Sequence, residues 1–507
     1  MVYKKILSTS FDVKYLVRLV SNILNALLSF VSVILITRSL EPELYGNFGF
    51  LNNFFIQIFP FFTLNSSLAF YTKLSQRNDN YDLVIFYKWL LIIGFLLILF
   101  SVGFVQYFDI SRYLWPEQNM KFVYFSLLYA FFSIISNTLV LVADAIGITV
   151  KAEFSKVLQK LLGLGIIYYL YVSVGVNLDV LYYFEYTMFF ILSATLFVVI
   201  PRVDNRLLKG WHLSYPVIKS KFREIYNYSK SLLLYGFISM IVMLGDRWML
   251  QNYSGSAEQG FYEVALKISA LSFLFTNAAT QLITREFAVS FAAKNFAEMS
   301  RLFRKYIPAL YSISALFGCF IIVNSNEVTS LFFGDKFINS SITIAIMAFY
   351  PIHQTYGQLS GGVFYAMGKT SLYSKIGIFF MVLGLPITYI LLVPNFFGDT
   401  NLGSIGLAFK TIFLQFFAVN VQLFYNCRTL KMSFMYFLKH QLSVLTLFLA
   451  LALLSQSVVK MFLTLNSNIF ILILSFISYI ISVIMITLIY PSIFGIKKQF
   501  LLSQNEF

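Results

Sequence analysis

The sequence predicts an all-α membrane protein with about fourteen transmembrane helices, arranged as two six-helix lobes in a parallel repeat plus two appended helices. Composition is the first reason, since 59% of the 507 residues are hydrophobic and 12% are charged, whereas soluble domains carry about 25% charged residues. Apolar segments of about 20 residues, the length of a membrane-spanning helix, recur along the chain. Two of these segments also resemble each other.

The expected spans follow one another with short connections, and only the segment 201–228 is long. They lie at 15–37, 44–70, 83–108, 120–146, 154–174, 178–200, 229–250, 257–284, 306–333, 339–367, 372–393, 402–425, 440–463 and 468–491. This pattern predicts an N-lobe at 1–200, a cytoplasmic linker at 201–228, a C-lobe at 229–430, and two appended helices with a C-terminal tail at 431–507. Six is an even number, so both lobes enter the membrane in the same direction and the repeat is parallel.

The duplication is carried by two segments that share residues at a constant offset. One reads AIGITVKAEFSKVLQKLLGLGIIYYLYV from Ala145, and the other reads AMGKTSLYSKIGIFFMVLGLPITYILLV from Ala366. The sequences ELYGNF around Gly46 and EQGFY around Gly260 form a second pair at a similar offset. Chance similarity between apolar segments is the alternative, but glycines at helix ends favour duplication. Duplicated halves in membrane proteins are typical of transporters.

The basic residues fall mainly in alternate loops, which is the pattern of loops that stay in the cytoplasm. It predicts that both termini are cytoplasmic, and it assigns the net charge of +15 to topology rather than to nucleic-acid binding. Two cysteines imply no disulfide framework, and the N-terminus lacks the features of a cleavable signal peptide. The sequence contains no metal-ligand cluster, nucleotide-binding loop or catalytic motif. Transport would therefore use an ion or substrate gradient, with no cofactor.

Polar residues inside the spans mark the candidate binding surface, because charges in the bilayer are costly. In the first span, Arg18, Asn22 and Asn25 begin a stripe that continues through Ser29 and Ser32 on one helical face. Such a stripe faces a neighbouring helix or a water-filled cavity, and Arg18 alone would also fit snorkelling to the interface. Further candidates for substrate binding lie in spans two, eight and twelve or directly after span eight: Asn53, Gln57, Lys267, Asn277, Gln281, Arg285 and Lys410.

Three further residues are candidates for gating or ion coupling. Asp144 is one of few acidic residues in a span, and Asp246 adjoins Arg247 at the outer end of span seven, as a local ion pair, an interface anchor or an outer gate. His353 lies in YPIHQTYGQLSGG, where proline and glycines predict a bendable helix. A packing role for this histidine is the alternative. The buried charges are mostly cationic, which favours an anionic ligand such as a phosphate.

Several stretches resemble a known family. TRSLEPELYGNFGF after span one, GDRWMLQNYSGSAEQGFYEVALKIS across spans seven and eight, and AMGKTS at the end of span ten resemble the polysaccharide-biosynthesis branch of the multidrug/oligosaccharidyl-lipid/polysaccharide (MOP) exporter superfamily. Its Wzx-type members flip undecaprenyl-diphosphate-linked repeat units of O-antigen or capsule. The resemblance covers essentially the whole chain. The proline that the family usually has near the end of span eight is replaced here by ITREF.

The resemblance implies a MATE-like pair of lobes with a central cationic cavity that works by alternating access, in the bacterial inner membrane. The cationic residues that match those of the family are Arg18, Arg38, Arg247, Lys267 and Arg285. The implied partners are undecaprenyl-diphosphate-linked oligosaccharide and membrane lipids, with a polysaccharide polymerase and a chain-length regulator as further candidates. A monomer driven by an H+ or Na+ gradient is expected.

Two other functions remain as alternatives. A drug or cation antiporter of the same fold would favour acidic residues in the N-lobe, and this chain has the opposite bias. An O-antigen polymerase or ligase is also polytopic, but these enzymes resemble one another in a long outer loop with Arg and His. Every predicted outer loop here is short, so the sequence favours the flippase.

Overall fold

The computed structural model describes residues 11–77, 80–394, 401–462 and 468–495, which are helical with short connections and contain no strand. This part of the chain confirms the all-α prediction. Its helices are α1 Phe11–Ser39, α2 Pro42–Phe62, α3 Ser67–Gln76, α4 Tyr81–Tyr107, α5 Ser111–Leu114, α6 Met120–Ala145, α7 Thr149–Tyr169, α8 Leu178–Val199, α9 Tyr215–Ser254, α10 Ser256–Ser272, α11 Leu274–Ala292, α12 Phe296–Val323, α13 Ser325–Phe333, α14 Ser341–Met347, α15 Phe349–Ala366, α16 Thr370–Leu392, α17 Gly403–Thr429, α18 Phe434–Phe462 and α19 Asn468–Ile489.

Eleven of the described helices are long and apolar enough to cross a membrane, and the bent pair α2 and α3 raises the number to 12. The predicted total of fourteen is therefore not confirmed. The predicted spans 257–284 and 339–367 are the two that do not meet this criterion. Each is divided between two helices, at Phe273 in the first and at Ala348 in the second. Helix breaks at membrane depth are tolerated only where the backbone is covered by protein or lines a cavity.

The chain divides into two compact units, residues 1–260 and 261–507. The sequence placed the boundary in a linker at 201–228, but helix α9 already begins at Tyr215 within that segment. Ser214 has the extended backbone of an N-cap and Pro216 lies in the first turn, which is how helices commonly begin. Helix α9 packs against α2, α3 and α4. These contacts place it in the first unit, so the compact units divide later than the predicted linker.

The two duplicated segments have the same backbone turn. Helix α6 ends before Gly147, and α15 ends before Gly368, with φ of +83° and +68°. In both turns the glycine N–H and the next N–H donate back into the last helical turn, as in a Schellman motif. Only glycine adopts this left-handed backbone readily. The two glycines at this constant offset therefore end both helices in the same type of turn, and the duplication itself stays a prediction.

Each unit has its own apolar packing. In the first unit a continuous buried cluster runs through α2, α3, α4, α6 and α8 and includes Leu207 of the segment after α8 and Ile225 of α9. Helix α1 packs mainly on α7. In the second unit α12 packs on α15 and α18, and α17 packs on α15 and α16. These contacts hold the polar groups described next at fixed positions.

Candidate functional site

A cluster of four charged side chains joins α1, α6 and α7 in the first unit. Arg18 Nη2 lies 3.8 Å from Asp144 Oδ2, and Arg18 Nε lies 4.0 Å from Glu153 Oε1. Lys156 Nζ donates to Glu153 Oε1 at 2.9 Å. The two predicted residues Arg18 and Asp144 are thus brought together, and a third residue, Glu153, links them to a second cation.

Burial makes this cluster energetically unusual. The Glu153 side chain is fully buried and that of Asp144 is 7% exposed, whereas Arg18 remains 43% exposed. Asp144 Oδ1 and Glu153 Oε2 are buried and have no hydrogen-bond partner within the described ranges. Buried carboxylates are costly unless they are paired and fully hydrogen-bonded. The two carboxylates therefore lack the full set of hydrogen bonds expected of a purely structural ion pair. Such a cluster can exchange one bound cation for another.

The polar stripe of α1 and the polar face of α2 carry further unsatisfied groups. Asn22 is exposed, and Asn25 is half-buried with its Oδ1 lacking a hydrogen-bond partner in the described part of the chain. Asn53 and Gln57 are half-buried on α2, and Asn53 Oδ1 is likewise buried without a partner. Amide groups of this kind can bind hydroxyl-rich ligands through many individually weak hydrogen bonds.

Arg38 and Arg247 have opposite environments. Arg38 is exposed in the last turn of α1. Arg247 is 6% exposed, and its Nη1 donates to Gln259 Oε1 at 2.9 Å while Gln259 Nε2 donates back to the Arg247 carbonyl. Asp246 is half-buried beside it. Arg38 is accessible to a ligand, whereas Arg247 is held in a reciprocal contact between α9 and α10.

The junction between α9 and α10 is clamped by Glu117, which precedes α6. Glu117 Oε2 accepts hydrogen bonds from the Ser256 N–H at 3.1 Å, Ser256 Oγ at 2.9 Å and Gln251 Nε2 at 3.1 Å. Trp248 Nε1 also donates to the Tyr113 carbonyl at 2.7 Å. These bonds fix the C-terminal end of α9 to the connection between α4 and α6.

The second pair of duplicated sequences meets directly at the same junction. A Cβ atom on Gly46 would lie 1.8 Å from the Ser256 carbonyl oxygen, and one on Gly260 would lie 2.2 Å from the Pro42 carbonyl oxygen. Backbone therefore lies against backbone where α2 and α10 cross. Real side chains do not approach to such distances, so this crossing requires glycine at both positions.

The cations predicted at span eight lie on exposed surfaces of the second unit. Lys267 is exposed on α10, and Arg285 is exposed on α11 with its Nη1 3.8 Å from Glu286 Oε1. The side chains of Asn277 and Gln281 lie outside the described residues. The roles of these four residues in binding substrate stay predictions.

Lys410 and His353 are both buried in the second unit. Lys410 is 5% exposed, and its Cε and Nζ lie against Gly384 of α16. His353 is 5% exposed and is surrounded by the rings of Tyr311, Phe349 and Phe416. These aromatic contacts fit the packing role of the histidine, and its coupling role stays a prediction.

Glu153 is the main residue that sequence reasoning missed. The predicted fifth span began at residue 154, so Glu153 was assigned to a loop, whereas α7 begins at Thr149 and buries it. A signal was available, since Glu153 and Lys156 are three residues apart with opposite charges and would meet on a helix. Extending the predicted helix by one turn would have included this carboxylate among the charged residues of the span.

No family model matches the chain. Two proteins of known name are similar in sequence. The "Capsular polysaccharide biosynthesis protein CapF" of Staphylococcus aureus is 24% identical over 395 residues, which cover 74% of this chain and 91% of that protein. The "Probable low-salt glycan biosynthesis flippase Agl15" of Haloferax volcanii is 27% identical over 208 residues, 40% of this chain and 41% of that protein.

Solved structures of low sequence identity share the fold. The lipid II flippase MurJ in an inward closed conformation aligns with a TM-score of 0.67 at 12% identity, over 92% of this chain and 98% of that one. An inward-facing MATE family multidrug transporter of the MOP superfamily aligns with a TM-score of 0.64 at 15% identity, over 82% of this chain and 98% of that one.

These similarities confirm the resemblance to MOP-type polysaccharide flippases that the sequence motifs predicted. One of the two relatives is named as a probable flippase, and the two solved structures are a flippase and a multidrug transporter. The chain is a multi-pass membrane protein with the MOP fold.

Proposed function

We propose that this protein is a flippase that moves undecaprenyl-diphosphate-linked oligosaccharide repeat units of O-antigen or capsule from the cytoplasmic to the outer leaflet of the bacterial inner membrane. It works by alternating access through a cationic cavity, with both termini in the cytoplasm. A relative named as a probable glycan biosynthesis flippase, a relative named in capsular polysaccharide biosynthesis, and the fold shared with a lipid II flippase support a lipid-linked glycan as the substrate. A polysaccharide polymerase and a chain-length regulator would act on the product.

The observation that carries this proposal is the loosely held guanidinium of Arg18. Its contacts to Asp144 and Glu153, at 3.8 and 4.0 Å, are longer than hydrogen bonds. Its side chain is 43% exposed, so its donors can reach a ligand. A planar guanidinium binds phosphate oxygens through two parallel hydrogen bonds. The diphosphate of the substrate would therefore compete with the two carboxylates for Arg18.

Charge balance links this exchange to an ion. If Arg18 turns to the diphosphate, Glu153 keeps Lys156 at 2.9 Å. Asp144 has no other cation within 4.0 Å among the described residues. A buried carboxylate without a partner is strongly unfavourable, so H+ or Na+ would replace Arg18 at Asp144. Substrate binding and cation uptake would then be coupled at one cluster.

The oligosaccharide itself would bind to the amide groups of α1 and α2. Asn22, Asn25, Asn53 and Gln57 supply both donors and acceptors, which is the complement of sugar hydroxyls. Their partly exposed positions are consistent with contacts that form and break during transport. Many weak contacts would also allow the protein to release its substrate.

The test is the sidedness of lipid-linked glycan in cells depleted of the protein, scored by access of a periplasmic glycan hydrolase. The proposal expects full-length repeat units trapped on the cytoplasmic leaflet. Normal single units on the outer leaflet without polymerisation would instead favour a polymerase and would refute the flippase.

Substitutions at Arg18 test the exchange itself. Arg18→Ala should lower flipping by about tenfold or more, because one charge-assisted hydrogen bond contributes about 1.5–3 kcal/mol. Arg18→Lys should restore part of the rate, since lysine keeps the charge but not the bidentate geometry. Arg428→Gln, an exposed cation at the end of α17, is the matched control and should flip normally. Equal rates for Arg18→Ala and this control would remove Arg18 from the mechanism.

A further inference from the structure

Helix α9 is much longer than a membrane span. It runs for 40 residues from Tyr215, but its apolar section begins only at Leu233. At 1.5 Å per residue, the preceding 18 residues extend about 27 Å. The polar head-group layer of one leaflet is about 5–8 Å thick, and a tilt of about 20° shortens the projection little. Most of this extension therefore lies in water, on the predicted cytoplasmic side.

One face of the extension is fixed to the first unit. Ile225 and Ser229 are fully buried. Lys221 Nζ donates to Asn80 Oδ1 at 2.8 Å, and Glu224 Oε1 lies 3.9 Å from Lys73 Nζ. These contacts hold the helix rigidly, so the residues on its other face have fixed relative positions.

That other face carries alternating aromatic and basic side chains, all of them exposed. It is formed by Tyr215, Lys219, Phe222, Arg223, Tyr226 and Lys230, which we call the α9 platform. The spacings of three and four residues place these side chains within about 100° of the helix circumference. An exposed aromatic face in water is unusual unless it binds something.

The aromatic part of the platform is ordered. The rings of Phe222 and Tyr226 are nearly parallel, with an interplanar angle of 5° and centroids 6.0 Å apart, and these side chains are 47% and 43% exposed. The face of an aromatic ring is negative, so it attracts the weakly positive C–H face of a sugar ring. Two rings held in one orientation can support one or two sugar units.

The basic part of the platform is not neutralised. Lys219, Arg223 and Lys230 have no ion pair with any residue that the structure describes. Three unpaired cations beside aromatic rings match a ligand that combines phosphate with sugar. An anionic bilayer surface is a less suitable ligand, because the N-terminal part of the platform, near Tyr215, extends beyond the lipid head groups.

We infer that the α9 platform binds the diphosphate and first sugars of the lipid-linked glycan on the cytoplasmic side, before they enter the protein. This inference rests on the proposed flippase function. The basic row would hold the diphosphate and the aromatic pair would hold the adjoining sugar. The platform would thereby select substrates that carry both groups.

Binding to the full-length protein in nanodiscs tests this inference. The probe is a synthetic ten-carbon prenyl diphosphate carrying a disaccharide, compared with the same compound without sugar and with inorganic diphosphate. Lys219→Gln/Arg223→Gln should weaken binding of both prenyl probes by about tenfold, since each exposed charge contact contributes up to about 1 kcal/mol. Phe222→Ala/Tyr226→Ala should weaken the disaccharide probe severalfold and leave inorganic diphosphate unchanged.

The matched control is Arg428→Gln/Lys439→Gln, which removes the same charge from exposed positions elsewhere and should bind every probe normally. Gel filtration and the thermal midpoint show whether each variant is folded. Wild-type affinity in both platform variants would overturn the inference, as would an affinity that depends on phosphatidylglycerol in the nanodisc and not on the disaccharide. The leaflet sidedness of the lipid-linked glycan in cells separates the two proposals. Platform variants that bind the probes and flip the glycan normally refute only the role of the platform. Wild-type protein that does not flip the glycan refutes the proposed flippase function.

Discussion

The close crossing of α2 and α10 gives the sharpest prediction, because both glycines face backbone. A Cβ on Gly260 would lie 2.2 Å from the Pro42 carbonyl oxygen, whereas ordinary contacts begin near 3.4 Å. The two backbones would have to separate by about 1 Å, and no side-chain rotation can relieve the overlap. Overpacking of this kind costs about 1–3 kcal/mol. Gly260→Ala should therefore destabilise the first unit.

The thermal midpoint of the purified full-length protein measures this effect. For a unit of about 150–250 residues, each kcal/mol shifts the midpoint by about 2–4 °C, so a fall of several degrees is expected. Gly165→Ala is the matched control, since a Cβ there meets nothing within 4 Å. It should raise the midpoint slightly, because alanine is favoured over glycine within a helix by about 0.5–1 kcal/mol. Equal midpoints for both variants would refute the close crossing.

The double variant sharpens the test. Gly46 faces the Ser256 carbonyl oxygen and the Gly260 N–H, and Gly260 faces Pro42 and Gly46 in return. Once one alanine has separated the helices, the second has less overlap to relieve. The cost of Gly46→Ala/Gly260→Ala should therefore be smaller than the sum of the two single costs. Strict additivity would mean that the two glycines do not share one contact.

Two further predictions concern the connections at the ends of the helices. Glu117→Ala should destabilise the first unit by about 1–3 kcal/mol, because the buried Ser256 N–H and the Gln251 amide lose their acceptor; an unchanged thermal midpoint would contradict it. The Tyr81 hydroxyl donates a hydrogen bond of 2.6 Å to the Asp204 carboxylate and lowers the pKa of Asp204 below its usual value of 3.8. The stabilisation that the ionised carboxylate contributes is therefore present above pH 3.8 and is lost as the pH falls through the lowered pKa. Tyr81→Phe should make the segment 201–214 sensitive to pepsin at about pH 4, where the wild type still resists, and equal cleavage of both proteins would refute the role of this bond.

The sequence predicted the type and approximate positions of most helices correctly. Apolar segments of membrane length must form helices, since lipid offers no hydrogen-bond partners to the backbone. The predicted spans 257–284 and 339–367 were wrong as single helices, because Phe273 and Ala348 interrupt them. Hydropathy alone does not reveal such interruptions. It also missed the helical extension that begins at Tyr215, since a polar segment carries no membrane signal.

The sequence singled out individual charged residues but not the residues that they contact. Arg18 and Asp144 were identified because charges are rare in spans, but their contact was not foreseen. Glu153 was missed by one residue at a span boundary. Gly46 and Gly260 were predicted to be equivalent positions of a repeat, yet nothing in their sequences indicated that they touch each other.

The sequence by itself therefore determined the membrane environment, the helical class and the set of rare charged residues, since each follows from local composition and spacing, whereas the duplication stays a prediction. The tertiary structure alone decided which of those residues meet. Arg18 lies more than a hundred residues from Glu153 along the chain, and Pro42 is even farther from Gly260. Such contacts depend on how whole helices pack and cross, and packing geometry is set by all side chains at an interface together.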